Sequence, residues 1–345
     1  MRALWGIDLG QTNLRIAQVN PETGEIMSKV YEKPVEEIQN EVELSQIISR
    51  EIPSNVDVGV CAAGTIDEKN LIVKEAPNSN IKEINFGEML CRGQRNATLT
   101  NDMKAAVSAE AMYGQGKDLE NVLVATFSSG YNCAKAVNKK VVTTAEFGHV
   151  AYKPKGDLFC GCGGRGHIEY YVSGNGAAGM AVQYFHANFS PEHMIMQLAL
   201  KSYNKKVAEF NKKTGSNLPT FQKEDLKTAF IYKMVLGSIT AKHVYKTFEK
   251  QQFQRPQKQI REIQIDAIAY AIGNMNSSYN PLDIMIFMGS QTKDWRKLFQ
   301  AAVIKYKEDD CDYQIGSLNK PKVVRTKLPQ IGIQGGVAYH LQEAA

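Results

Sequence analysis

The chain alternates short apolar runs with polar, glycine-bearing loops. Residues 4–8 form an apolar run that closes on Gly10-Gln11-Thr12-Asn13, and residues 14–19 alternate with the period of the next strand. The run Asn20-Pro21-Glu22-Thr23-Gly24 reads as a hairpin turn. Residues 42–50 carry apolar positions at helical spacing. Residues 56–61 read as a buried strand opening into a loop at 62–65. Residues 97–100 read as another strand, with Asn101-Asp102 at its end, and residues 103–113 as a helix closed near Gly114 and Gly116. A strand feeding a loop that feeds a helix is the pattern of an α/β fold.

A second cycle follows. Residues 121–127 predict a strand that runs into Ser128-Ser129-Gly130. Residues 134–137 and 141–143 flank Asn138-Lys139-Lys140 as a hairpin. Residues 156–176, rich in Gly and Cys, read as a loop, and residues 186–275 as mostly helical. A strand at 284–288 ends at Gly289-Ser290, with a helix from about residue 294. A last strand is expected at 323–327 and a terminal helix at 333–343, with Gly335-Gly336 in its first turn. Two halves, each opening with a strand pair and a polar loop, predict a duplicated architecture, and 345 residues suit two domains. No short-period repeat or low-complexity tract interrupts this order.

Composition adds bounds. With 43% hydrophobic and 22% charged residues the chain can bury a sizeable core, and a net charge of +5 is weak for its length. The lysine-rich stretch 201–250 alternates with apolar residues at helical spacing, which predicts a solvated helix face and no nucleic-acid partner. No apolar run approaches the roughly 18 residues that span a bilayer, so no membrane association is expected. The N-terminus enters a strand without the features of a leader. Only Cys160 and Cys162 of the six cysteines are close in sequence, which fits a reducing, cytoplasmic setting better than a disulfide scaffold.

Four constellations bear chemistry. Asp8-Leu9-Gly10-Gln11-Thr12-Asn13 sets a carboxylate at a strand end before a tight turn. Its backbone N–H groups and hydroxyl suit a phosphate and its carboxylate suits Mg²⁺, although a plain β-turn uses similar residues. Gly64, in Ala63-Gly64-Thr65, permits close backbone approach to a ligand or simply makes a turn. Asn101-Asp102 supplies either a base for a hydroxyl or a helix N-cap. His149, Cys160, Cys162 and His167 form a complete tetrahedral Zn²⁺ donor set with no open position, which implies a structural ion. His186 and His193 lack such neighbours and read as ordinary helix residues.

The order of these elements resembles the ROK family of sugar kinases and repressors. That family's patterns are DxGGTxxR/K, an AP/AG loop, an ND pair before a helix, a glycine-rich second phosphate loop, GExGH and CxCGxxGCxE. The matches are Asp8-Gly10-Thr12-Arg15, Ala63-Gly64, Asn101-Asp102, Glu146-Gly148-His149 and Cys160-Cys162-Gly163-Gly166-Glu169, with Gly289 and Gly335-Gly336 extending them.

The resemblance implies a two-domain α/β fold of the actin-like ATPase kind, a duplicated ribonuclease H-like unit. One domain would be 1–105 joined by a C-terminal helix 331–345. The other would be 106–330, carrying the zinc loop 149–167. It also implies Asp102 as catalytic base, and Gly64, Asn101, Asp102, Glu146, His149 and Glu169 as the sugar site. Asp8, Gly10, Gln11, Thr12, Asn13, Ser128, Ser129, Gly130 and Gly289 would form the ATP–Mg²⁺ site, with His149, Cys160, Cys162 and His167 on Zn²⁺. The expected partners are a sugar and ATP, in a homodimer.

Three departures stand out: Gln11 replaces a second glycine, His167 replaces a third cysteine, and Ser128-Ser129-Gly130 replaces the glycine-rich loop. The expected activity is transfer of the ATP γ-phosphoryl group to a hexose hydroxyl, glucokinase-like, with an N-acetylmannosamine kinase as the alternative. A sugar-sensing repressor fits less well, because Asp8 falls almost at the start and leaves no room for a DNA-binding domain. A non-catalytic sugar-binding protein fits less well because it needs neither Asp8 nor Asp102.

Overall fold

The computed structural model describes residues 4–76, 79–156, 158–248, 255–308 and 319–344, with only the backbone described at Ala145 and 294–297. In chain order the first half has β1 (Leu4–Leu9), β2 (Asn13–Val19), β3 (Tyr31–Pro34), α1 (Glu41–Glu51), β4 (Asp57–Ala62), β5 (Thr65–Asp67), β6 (Ile72–Glu75), β7 (Ile84–Asn85), α2 (Phe86–Cys91), β8 (Asn96–Asn101) and α3 (Asp102–Met112). The second half opens with β9 (Asn121–Phe127), β10 (Tyr131–Val137) and β11 (Lys140–Ala145). Helices α4 (Ile168–Val172), α5 (Gly174–Ala187), α6 (Met194–Thr214), α7 (Ala229–Leu236), α8 (Ala241–Tyr245) and α9 (Gln257–Tyr279) follow. The chain closes with β12 (Ile284–Met288), α10 (Phe299–Lys307), β13 (Lys322–Arg325) and α11 (Ile331–Glu343).

The two large sheets repeat one design. The first has the order β3-β2-β1-β4-β8 and the second β11-β10-β9-β12-β13. In each, a central strand pairs antiparallel with the strand after it and parallel with a later one, as β1 does with β2 and β4, and β9 with β10 and β12. The duplication read from the chain is thus present strand by strand. The parallel strands β4 and β12 are apolar almost throughout, as strands covered on both faces must be.

Helix α3 packs against α11 on one side and against β9 and β10 on the other. It is rich in alanine and buried around nearly its whole girth, which a helix needs when it lies between two layers. Helix α11 returns from the chain end to lie on β1 and β4. Its approach is set by glycine: a Cβ on Gly6 would stand 2.5 Å from the Ile333 carbonyl oxygen, and one on Gly59 would stand 2.6 Å from the Val337 nitrogen. The largest core cluster lies among β9, β10, β12 and helices α4–α10, and a second lies between the first sheet and α1 and α2.

Several boundaries differ from expectation, each for a local reason. The stretch 156–176 is not loop throughout: α4 starts at Ile168 and α5 at Gly174. The glycines of α5 are there for close packing, since a Cβ on Gly176 would overlap the Tyr170 carbonyl. The hairpin turn holds two residues, Asn138 and Lys139, both at positive φ (49° and 67°), so Lys140 already belongs to β11. Strand β10 begins at Tyr131, three residues earlier than its alternation indicates. The segment after Gly289 is a 3₁₀ turn, Ser290–Lys297, before α10 starts at Phe299. Helix α11 begins two residues early, which moves Gly335-Gly336 out of the first turn and places Gly332 in it. The small sheet β5-β6-β7 and α2 carry no periodic signal, because strands of two to four residues are too short to show one.

The lysines from Lys201 to Lys246 are exposed, in line with a solvated helix face, while Lys250, with 249–254, lies outside the described residues. Among the described residues, no helix is long and apolar enough to cross a membrane.

Candidate active site

The chemistry-bearing residues gather at the carboxyl ends of the parallel strands, where loops are free to face a ligand. Asp8 lies near the end of β1, Gly64 follows β4, and Asn101-Asp102 joins β8 to α3. In the second sheet Ser128-Ser129-Gly130 follows β9 and Gly289 follows β12, at the equivalent positions of the repeat.

The first turn is rigid. The Gly10 N–H donates to the Asn13 carbonyl at 3.1 Å, and the Val35 N–H donates to the Thr12 carbonyl at 2.8 Å, while Gln11 and Thr12 are exposed. The β1–β2 register sets Arg15 opposite Asp8, and its guanidinium stands 3.6 Å from the Asp8 carboxylate. Arg15 is held in turn by Glu32 at 2.9 Å, and Glu32 also accepts from Asn13 Nδ2 at 2.6 Å. Loss of hydration in the cleft pushes the Asp8 carboxyl up to about 6, Arg15 opposes this, and the charge of Asp102 adds to it. Two carboxylates within such reach favour a cation between them. The Asp8 site therefore fits Mg²⁺.

Asn101 and Asp102 divide the two roles open to that pair. The Asn101 side chain accepts the Lys104 N–H at 2.7 Å and is the N-cap of α3. Asp102, the first residue of the helix, is not the N-cap, but its carboxylate accepts from the backbone N–H groups of Met103 and of Asp102 itself, which oppose the rise in its pKa. The residue is exposed at the surface, yet protein crowds around its carboxyl closely enough to desolvate it. Its pKa is raised, first by desolvation and then by the charge of Glu146. Glu146 precedes the short turn Phe147–His149 and is exposed, as is His149. Gly64, at φ 109°, turns the chain out of β4. A groove of about 480 Å³ lined by Lys104, Thr143, Thr144, Tyr339 and Gln342 lies to one side and includes none of these carboxylates.

Glu169, in the first turn of α4, joins three loops. Its Oε2 accepts the Tyr131 N–H at 3.1 Å, just beyond Ser128-Ser129-Gly130, and its Oε1 accepts from the Cys160 thiol at 3.3 Å. A Cβ on Gly130 would lie 2.8 Å from Oε2 and one on Gly148 3.1 Å from it, so both glycines clear room for this carboxylate. The Ser128-Ser129-Gly130 turn is closed by Ser128 N–H donating to the Gly130 carbonyl at 3.0 Å. Gly289 takes φ 99° and brings the end of β12 against the Phe127 backbone, where a side chain would overlap it.

The donor atoms of His149, Cys160, Cys162 and His167 all lie within 4.8 Å of one another. Tetrahedral bonds of about 2.0–2.3 Å set ligand atoms roughly 3.3–3.8 Å apart, so the set fits Zn²⁺ after a contraction of about 1 Å. Already Cys162 Sγ and His167 Nδ1 are 3.2 Å apart, and Cys160 Sγ and His149 Nδ1 are 3.6 Å apart. Gly163 and Gly166, at φ 86° and 66°, supply the turns that fold this loop back; residue 157 within it lies outside the described residues.

Three residues in or beside the cleft escape sequence reasoning. Cys61 lies fully buried beside Asp8 in the parallel register, and burial first, then the charges of Asp8 and Asp102, push its thiol up. Glu68 pairs with Lys104 at 2.8 Å. Gln291 reaches back to the Ser128 carbonyl at 2.6 Å. Their partners are 36 to 163 positions away in the chain for Glu68 and Gln291, so no local pattern marks them.

Comparison with known proteins gives the family and the fold. Residues 4–237 match the profile of the ROK family. A glucokinase of Streptomyces coelicolor is 32% identical over 208 residues, which cover 56% of this chain and 63% of that protein, so the chain spans less than two thirds of that relative. An N-acetylmannosamine kinase of Escherichia coli O6:H1 is 28% identical over 219 residues, covering 59% of this chain and 71% of that one. Among solved structures, a ROK family glucokinase from Streptomyces griseus, in complex with glucose and AMPPNP, superposes with a TM-score of 0.65 at 19% identity, covering 99% of each chain. The duplicated sheet order is that of the actin-like ATPase fold, and the chain belongs to the ROK family.

Proposed function

We propose that the protein is an ATP-dependent sugar kinase that transfers the γ-phosphoryl group to a hexose hydroxyl, as a glucokinase does. The observation that carries this reading is the division of labour at the end of β8. Asn101 is the N-cap, and the Asp102 carboxylate, although it also meets the Met103 N–H, keeps a raised pKa within electrostatic reach of Asp8 and Glu146.

In this reading Asp102 orients the acceptor hydroxyl and takes its proton, and a pKa raised toward neutrality makes it a better base. Gly64, Asn101, Glu146, His149 and Glu169 hold the remaining hydroxyls; a carboxylate accepts from two of them at once and repels a sugar that already bears phosphate. The backbone N–H groups of Gly10, Gln11, Thr12 and Asn13, and of Ser128, Ser129 and Gly130, receive the phosphates, with Gly289 flanking the nucleotide. Mg²⁺, when bound near Asp8, neutralises charge on the transferred group. Zn²⁺ held by His149, Cys160, Cys162 and His167 would order the loop that carries His149 and abuts Glu169. Closure of a domain of 1–105 with 331–345 onto one of 106–330 would exclude water from the γ-phosphate.

An N-acetylmannosamine kinase is the second reading, supported by the match across 71% of such a relative. The test is a coupled ATP-to-ADP assay with Mg²⁺ over glucose, mannose, fructose, galactose, N-acetylglucosamine and N-acetylmannosamine, with Asp102→Asn alongside. Turnover on one sugar that Asp102→Asn abolishes while the sugar still binds is expected. Sugar binding without turnover on any of them refutes a kinase.

A further inference from the structure

Behind the Ser128-Ser129-Gly130 turn lies a ring of polar groups that the proposed chemistry leaves unused. Gln291, buried two residues beyond Gly289, donates from Nε2 to the Ser128 carbonyl at 2.6 Å. Its Oε1 accepts from the Tyr245 hydroxyl at 2.9 Å. The Tyr245 oxygen accepts from Gln264 Nε2 at 3.2 Å, and the same amide donates to the Ser173 carbonyl at 3.2 Å. The N–H of Gly174, the next residue, donates to the Ser128 carbonyl at 2.8 Å and closes the ring. Gln264 and Ser173 are fully buried, and burial raises the Tyr245 phenol so that it remains a donor.

The ring draws together the turn after β9, the turn after β12, the start of α5, α8 and α9. Its direction matters more than its strength. In a trans peptide the C=O and N–H point to opposite sides. With the Ser128 carbonyl held inward by two donors, the Ser129 N–H is turned to the other side of the peptide plane. The two serines here also have fewer backbone conformations open to them than glycines would. The Ser128 N–H closes the turn from within on the Gly130 carbonyl, and the ring fixes the Ser128–Ser129 peptide plane from outside it.

We propose that Gln291, fixed in turn by Tyr245 and Gln264, is a positioning residue for the phosphoryl donor: it orients the Ser128–Ser129 peptide so that the Ser129 N–H meets a phosphate oxygen of the nucleotide. This rests on the sugar-kinase reading of the same cleft.

The test is Gln291→Leu, which keeps the size and removes both hydrogen bonds. The expected result is a KM for MgATP raised several-fold, up to about tenfold, the range that one neutral hydrogen bond supports. The rise in KM exceeds the fall in kcat, and calorimetry shows sugar affinity unchanged. Tyr245→Phe moves the KM in the same direction by less, and the double variant falls short of the sum, because both act through one ring. An unchanged KM for MgATP in folded Gln291→Leu overturns the proposal. So does a loss of sugar affinity in the same proportion, which marks a general structural role. If Gln291→Leu does not fold, Tyr245→Phe decides by the same criterion. If the wild-type protein phosphorylates none of the sugars, MgADP binding by calorimetry replaces KM. Weaker binding by Gln291→Leu then upholds the inference while the kinase reading falls, and no MgADP binding by wild-type protein overturns both.

Discussion

Gly332 offers a sharp test of Asp8, because the two touch although they lie at opposite ends of the chain. It sits in the first turn of α11, and a Cβ there would stand 2.6 Å from each Asp8 carboxylate oxygen. An ordinary carbon–oxygen contact is longer by close to 1 Å, so Gly332→Ala displaces the carboxylate by about that distance. In the helix itself alanine is the better residue, by up to about 1 kcal/mol, and Gly332 is not at a positive φ that would forbid it. The substitution therefore favours the helix slightly while it displaces the carboxylate. A shift of about 1 Å in a reacting or metal-holding group costs on the order of 10²-fold in rate, roughly 2.7 kcal/mol. In the coupled assay, kcat/KM for MgATP is expected to fall about 100-fold, with a higher Mg²⁺ requirement, while the thermal midpoint stays within a few degrees of wild type. Asp8→Asn should be comparably impaired, and the double variant little worse than either, since both damage one contact. Wild-type kcat/KM within about threefold in folded Gly332→Ala would show that the Asp8 position is immaterial and would remove it from the mechanism.

Other expectations follow from the same geometry. Asp102 acts as a base only when ionised, and burial raises its pKa, so kcat/KM should decline with falling pH at a midpoint above the ordinary aspartate value of about 3.9. Glu146→Gln removes a like charge and should move that midpoint down, which a pH–rate profile reads; a midpoint that stays put would exclude the coupling. Protein purified without added zinc should carry about one Zn²⁺ per chain by metal analysis, lost in Cys162→Ser, whereas a metal-free chain with an ordered loop would end the assignment. Gly59→Ala drives a methyl group into the backbone of α11 and should cost about 3 kcal/mol in denaturant unfolding; a loss under about 0.5 kcal/mol would mean that α11 is not pressed onto β4 as described.

What was legible in the chain follows from how local each signal is. Strand 121–127 and strand 284–288 are continuous apolar runs with sharp polar ends, and both stand at the expected bounds. The cluster of candidate metal donors, which the structure brings within 4.8 Å of one another, is legible because the two cysteines and their glycines fall within a few positions. Loop 156–176 was misread in its second part because glycine signals both turns and close packing, and only the neighbour across the contact, Tyr170 against Gly176, tells which. The turn after β9 was recognised as a loop, but what anchors it was not. Gln291 is 163 positions from Ser128, and an isolated glutamine carries no periodicity or motif.

The two halves of the cleft also differ in how they set their loops, and Glu169 shows why this matters. The turn after β1 is fixed by its own strand pair, through Gly10, Asn13 and Arg15. The turn after β9 is likewise closed within its strand pair, by the Ser128 N–H on the Gly130 carbonyl, but it draws further support from distant residues. It is held from behind by Gln291 and Gly174, and at its far end by Glu169, which accepts the Tyr131 N–H. The same carboxylate takes the thiol of Cys160 on its other oxygen. If a sugar hydroxyl donates to Glu169, it competes for the oxygen that fixes Tyr131 or for the one that meets the metal loop. At the first of these oxygens the sugar would change the support of the turn proposed for the nucleotide. On the proposed sugar-kinase reading, a carboxylate shared between these loops would make sugar and nucleotide affinity interdependent without direct contact between the two ligands, with an effect of the same size in both directions by linkage.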